Sequence, residues 1–200
     1  MALRELILAS TSKYRRELMA KLGLNFRCEA PLCDEEALRR PDMPPRALAE
    51  YLAQAKAESL QAKFPDAVIV GGDQLVALGT EVLNKPKDTD EAFRQLRKVS
   101  GKSFELVTAI GLLVEGRWIA STHLTRFTVR ELSDLQIRRY LEIDKPYDCA
   151  GSFRLEDRGI LLFSSVETTD PLASMGIPLT SLISLLAPLG YVIPGPGKDT

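Results

Sequence analysis

The sequence predicts an α/β fold built on a mixed sheet, and three features carry that prediction. Short apolar runs at residues 6–9 (LILA) and 67–70 (AVIV) have the composition of buried strands. Residues at helical spacing follow the first run and precede the second, over 13–22 and 45–63. Strand-like stretches at 103–114, 117–122 and 124–131 then follow one another with no helix between them. Alternation early and clustering late point to a mixed rather than a purely parallel sheet.

The first apolar run leads into Ser10, Thr11 and Ser12, each a good N-cap. Leu18, Met19 and Leu22 mark the buried stripe of the helix that follows, and Gly23 ends it. Lys13, Arg15 and Arg16 fall in its first turn, where the helix dipole is positive and cations are disfavoured. An anion at the turn reverses that argument, because free N–H groups, hydroxyls and an arginine fork then converge on phosphate. A solvated basic helix face is the competing reading.

Residues 25–30 read as a strand, and 31–45, rich in acids and prolines, as a surface loop holding Asp34, Glu35 and Glu36. Pro45 opens a helix whose buried stripe is Leu48, Tyr51, Leu52 and Ala55. Lys56 lies on its border, where a lysine stem packs and the ammonium reaches a neighbouring site. The strand at 67–70 ends at Gly71-Gly72-Asp73-Gln74, a twin-glycine delivery of an acid. A hairpin about Gly79 leads to Asn84-Lys85-Pro86, where the proline holds Lys85 in an extended turn. Asp88 or Thr89 caps a helix to about 99, Glu115-Gly116 turns a hairpin, and Ser133 with Gln136 forms a capping box for a helix to about 142. Residues 147–153 (YDCAGSF) form a loop of small residues, 160–163 a strand and 179–186 an apolar helix.

The 200 residues suit one domain, or two closely joined lobes, and are read as a single domain with a flexible tail from about residue 194. The formal net charge of −1 disfavours a nucleic-acid partner. No apolar run is long enough to cross a bilayer. Arg4 and Glu5 before a short apolar run do not read as a signal peptide, and the 3 cysteines, odd in number, suit reduced thiols in a cytoplasmic setting. With 1 histidine, His123, a His-rich metal site is excluded. Carboxylates, lysines, arginines and a hard cation such as Mg²⁺ are left to do the chemistry.

Taken together, S-T-S-x-x-R-R after an apolar strand, A-x-A-K-A around Lys56, G-G-D-Q, K-P, Y-D-C-A-G-S-F and D-P-L…G-I-P-L resemble the Maf family of nucleoside triphosphate pyrophosphatases. The resemblance covers residues 6–189. The D-Q pair and the C-A-G-S-F-x-x-E run look like the branch that hydrolyses 7-methyl-GTP. The resemblance implies a Maf/ITPase-like elongated mixed sheet flanked by helices, two lobes around a cleft, a divalent cation (Mg²⁺ or Mn²⁺) and a homodimer. It implies that Asp73 is the proton acceptor and, with Glu35, a metal ligand. Ser10, Ser12, Arg15, Arg16, Lys56 and Lys85 would bind the triphosphate, and Tyr14, Gln74 and Glu156 would set base specificity. Three departures stand out. Lys13 replaces a frequent proline, Asn84 a common glycine, and Tyr14 a tryptophan of the nearest branch. Hydrolysis of UTP, dTTP or another modified nucleotide, or nucleotide binding without turnover, are the alternatives.

Overall fold

A computed structural model describes residues 3–197. Among these described residues, seven strands and six α-helices follow in the order β1 (Leu6–Ala9), α1 (Lys13–Ala20), β2 (Arg27–Glu29), α2 (Glu35–Leu38), α3 (Pro45–Glu58), β3 (Val68–Leu78), β4 (Glu81–Leu83), α4 (Thr89–Val99), β5 (Ser103–Val114), β6 (Arg117–Val129), α5 (Asp134–Asp144), β7 (Phe163–Glu167) and α6 (Leu179–Leu186). The strands form one sheet in the order β2-β1-β3-β5-β6-β7, with β4 paired to β3. β1 runs parallel to both β2 and β3, with Ile7 opposite Arg27 and Ile69. The pairs β3–β4 and β6–β7 are antiparallel. The sheet is therefore mixed, as alternation followed by clustering predicts.

The chain divides into two compact units. The first comprises Met1–Gln74, Thr108–His123 and Asp170–Thr200, the second Leu75–Val107 and Leu124–Thr169. In the first, strand alternation sorts the apolar side chains between two layers. Leu6, Leu8, Val68 and Val70 pack with Leu18 and Met19 of α1 and Leu182 and Leu186 of α6. Ile7, Ala9 and Ile69 face the other way, toward Ala57 and Leu60. Both faces are covered, which is why β1 is apolar at every position. Each such Leu or Ile contributes roughly 1.5–3 kcal/mol by leaving water.

Gly71 sets the spacing between β3 and α3. A Cβ there would lie 2.2 Å from the Ala53 carbonyl oxygen and 3.0 Å from the Ala57 methyl. Only glycine lets the strand approach the helix backbone this closely.

The second unit has its own core, from Val76 and Leu83 through Leu96 of α4 to Ile137 and Leu141 of α5. Asp88 caps α4 by accepting from the Glu91 N–H at 2.7 Å. Ser133 and Gln136 form the expected capping box on α5. Phe104, Phe127, Phe153 and Phe163 gather with ring centroids between 4.7 Å (Phe127 to Phe163) and 5.8 Å (Phe104 to Phe163). Aromatic pairs of this kind contribute about 0.5–1.5 kcal/mol each beyond their burial.

Several sequence expectations need correction. The strand expected to end at residue 70 runs to Leu78, so Asp73 sits within β3 and not beyond a turn. The twin glycines are extended residues chosen for close approach. The surface loop at 31–45 contains α2, because Asp34 accepts from the Glu36 and Ala37 N–H groups and nucleates a turn. Residues 117–129 form one strand where two were expected. The strand expected at 160–163 is a 3₁₀ turn over Gly159–Leu162, and β7 begins at Phe163. In the tail from 194, the Gly195 N–H donates to Leu22 O at 2.9 Å and the Gly197 N–H to Gly23 O at 3.2 Å. Residues 198–200 lie outside the described residues. No helix among the described residues is long and apolar enough to cross a membrane.

Candidate active site

The centre of the site is one lysine between two carboxylates. Asp73, on β3, is 3% exposed, and Lys56, on α3, is 7% exposed. Lys56 Nζ donates to Asp73 Oδ1 at 2.5 Å and lies 2.7 Å from Glu35 Oε2. A buried charge needs a partner of opposite sign, and here each supplies the other's. Asp73 Oδ2 is buried and accepts no hydrogen bond from the described residues. One oxygen of this carboxylate is thus fixed and the other left for chemistry.

The two carboxylates are tuned in opposite directions. Burial pushes the Asp73 carboxyl above the usual carboxylate range, with Lys56 and Arg15 opposing the rise and Glu35 adding to it. Glu35 is only half-buried. Its own desolvation is outweighed by the hydrogen bond and charge of Lys56, with help from Arg39 and Arg15, and its carboxyl lies below the usual range. Glu35 therefore stays ionised while Asp73 becomes the more basic group, the division of labour expected of a charge-holding acid and a proton acceptor.

The hydroxyl-rich turn lies in the same unit. Ser12 is the N-cap of α1 and accepts from the Arg15 N–H at 3.4 Å, while Ser10 Oγ accepts from the Ser12 N–H at 3.1 Å. No acid stands in the first turn of α1. Arg15 reaches back to the sheet, Nη1 donating to Gly72 O at 3.0 Å and Nε to Gly176 O at 3.2 Å. Gly72 immediately precedes Asp73, so the guanidinium is pinned beside the acid. Tyr14, 40% exposed, and Arg16, exposed, are carried on the same helix.

Gln74 projects away from Asp73, as strand alternation requires. Its Nε2 donates to Thr108 Oγ1 at 2.8 Å and to Ala173 O at 2.9 Å, and approaches Ser174 O at 3.4 Å. The donor end of this amide is committed to the protein, and only Oε1 remains to read a ligand.

The segment that receives Gln74 is closed by a residue to which the sequence reading gave no role. Asp170 is 1% exposed and accepts from the Leu172 N–H at 2.9 Å, the Thr180 N–H at 2.8 Å and the Thr180 hydroxyl at 2.7 Å. The D-P followed ten residues later by a threonine was the available signal. Burial works against its charge, but the Thr180 and Leu172 donors win and draw the carboxyl below the usual range. Asp170→Ala is expected to cost about 1–3 kcal/mol in urea denaturation at neutral pH, since buried donors lose their acceptor. Because the folded-state carboxyl is the more acidic, its contribution is complete above the ordinary aspartate range. It fades as pH falls through the lowered value, so wild type and variant should converge in strong acid.

The structure thus brings Asp73, Lys56, Glu35 and Arg15 together with the Ser10–Ser12 turn in one unit. Lys85 and Glu156 belong to the second unit, and both are exposed. Among the described residues no group of three or more His, Cys, Asp and Glu gathers as a metal site. The donor set at hand, Glu35 with the Asp73 carboxylate across Lys56 from it, nevertheless fits Mg²⁺ or Mn²⁺. Such ions commonly take one or two carboxylates and complete their shell with water and substrate phosphates.

A family profile described as Maf-like protein matches residues 5–189. A protein of Bdellovibrio bacteriovorus named 7-methyl-GTP pyrophosphatase is 43% identical over 183 residues, covering 92% of this chain and 96% of its own. A protein of Xanthomonas axonopodis with the same name is 42% identical over 189 residues, covering 94% and 98%. A solved structure from Mycobacterium abscessus, described as a nucleoside-triphosphatase / dITP/XTP pyrophosphatase, overlaps 64% of this chain and 75% of its own, with a TM-score of 0.43 at 16% identity.

Proposed function

The chain belongs to the Maf family, and from that premise we propose that it hydrolyses 7-methyl-GTP to 7-methyl-GMP and pyrophosphate. The observation that carries this reading is the Asp73 carboxylate, buried, clamped through one oxygen by Lys56 and unpartnered at the other. A carboxylate held this way, with its basicity raised by burial, is suited to take a proton from water. Water then forms a bond to the α-phosphorus, the bridging oxygen between the α- and β-phosphates leaves with its electron pair, and the proton rests on Asp73 Oδ2. Arg15 and Lys56 offset the charge that grows on the departing pyrophosphate, with Arg16 and Lys85 as further cations and the serine hydroxyls as donors. Arg15 is already fixed by two carbonyl oxygens, so little reorganisation is needed as the reaction proceeds. A divalent cation on Glu35 and Asp73 would supply charge neutralisation at the phosphate oxygens.

Specificity follows from chemistry of the same kind. A guanine methylated at N7 is cationic, and the exposed Tyr14 ring offers it a cation–π contact worth roughly 0.5–2 kcal/mol. Glu156 offers an acceptor for the guanine N1–H and N2–H₂ edge, which a uracil or thymine does not reproduce. The Gln74 Oε1, its partner nitrogen engaged, adds a second acceptor of fixed orientation. The reading extends to a cytoplasmic enzyme acting as a homodimer, with no nucleic-acid partner.

The test is release of pyrophosphate from 7-methyl-GTP, GTP, UTP and dTTP in the presence of Mg²⁺ or Mn²⁺. Preferred turnover of 7-methyl-GTP with pyrophosphate as product is expected. Orthophosphate as product would overturn attack at the α-phosphorus, and binding without turnover would favour a nucleotide-sensing role. Glu156→Ala is expected to reduce the preference for 7-methyl-GTP over UTP by about tenfold or more, the value of one lost charged hydrogen-bond pair. An unchanged preference would remove Glu156 from base recognition.

A further inference from the structure

The second unit contains a buried polar chain that the reaction outlined above does not use. Ser152, fully buried, donates its hydroxyl to Gln95 Oε1 at 2.7 Å, and Gln95 Nε2 donates to the main-chain oxygen of Asn84 at 3.0 Å. Asn84 immediately precedes Lys85. We propose that Gln95 and Ser152 are positioning residues that hold the Asn84-Lys85-Pro86 turn and so aim the Lys85 ammonium at the triphosphate. The proposal rests on the reading that Lys85 binds that group.

Three features argue that the chain has this purpose. Gln95 stands on the apolar stripe of α4 among Ala92, Leu96 and Val99, where an amide is costly unless both its ends are bonded. Both are, and one bond goes to the turn. Second, Ser152 occupies the left-handed region at φ +62°, next to Gly151 at φ +73°. A non-glycine residue held there is strained, and such strain gathers where a side chain must be aimed. Phe153, the next residue, is locked among three other phenylalanines and fixes the loop from which Ser152 reaches out. Third, the turn carries Lys85 outward: Asn84 and Lys85 are exposed, while Pro86 beside them is buried.

The experiment is a double-mutant cycle on kcat/KM for 7-methyl-GTP. Gln95→Glu keeps an acceptor for Ser152 but sets a carboxylate oxygen against the Asn84 carbonyl, cutting only the link to the turn. It is expected to lower kcat/KM roughly tenfold, mainly through KM, and by less than twofold when Lys85 is already alanine. Ser152→Gly, whose backbone tolerates the left-handed region, removes the small hydroxymethyl group and with it the bond to Gln95. It should show the same dependence on Lys85 at about threefold, and it serves if Gln95→Glu fails to fold in a thermal melt. Equal losses in both backgrounds, or no loss in a folded Gln95→Glu protein while Lys85→Ala is crippling, would overturn the positioning role alone. An unimpaired Lys85→Ala enzyme would overturn both that role and the reading of Lys85 as a phosphate ligand.

Discussion

Asp73→Asn should lower pyrophosphate release from 7-methyl-GTP by about 10²–10⁴-fold, the usual worth of a positioned general base. The amide has nearly the shape of the carboxylate but no basic lone pair to receive a proton. The fold should survive the change. Lys56 keeps Glu35 as its counter-ion at 2.7 Å, and the amide oxygen can still accept from the ammonium. A melting temperature within a few degrees of wild type, beside a collapsed turnover number, is the expected pair of measurements. Wild-type-like turnover in a folded variant would remove Asp73 from proton transfer.

Lys56→Met should produce the second large effect, and its direction can be worked out. Burial already raises the Asp73 carboxyl, and the Lys56 charge is the largest of the influences that hold it down. Methionine fills the space of the lysine stem without the charge. The carboxyl then rises further, so the ionised base appears only at higher pH. The acid limb of the kcat/KM profile should move to the alkaline side, with at least a hundredfold loss near neutrality. Stability should follow the same group. A carboxyl whose folded-state value exceeds the unfolded one binds more protons when folded, so its contribution is complete in acid and is lost as pH rises through the raised value. The variant should therefore resist urea better at pH 5 than at pH 8. An unmoved acid limb would assign that limb to a different group.

The fold was legible wherever local chemistry and tertiary packing agree. The LILA strand, the Ser12 cap, the Asp88 cap, the Ser133–Gln136 box and the Glu115-Gly116 hairpin turn all follow from residue type at fixed spacing. The central misreading was physical as well. Gly71 and Gly72 look like turn residues because glycine usually supplies conformational freedom, whereas here it supplies the absence of a side chain against α3. That error placed Asp73 after a strand and not inside one. The site residues of the first unit were legible because the charge anomaly at α1 and the acid after the glycines are both exceptions to local rules. Asp170, Gln95 and Ser152 were not, since a buried polar side chain declares itself only when its partners, as far as 57 positions away, are seen beside it.

The contact of Gly71 with the Ala53 carbonyl has a consequence for how this enzyme can vary. The spacing of the α3 backbone that carries Lys56 from the β3 backbone that carries Asp73 is gauged by main chain against main chain at Gly71, and the lysine stem spans what remains. Volume-conserving exchanges of leucine and valine elsewhere in the core are expected to leave that main-chain spacing unchanged. The tolerance of the scaffold and the exactness of its chemistry are thereby uncoupled, and position 71 is where the two meet.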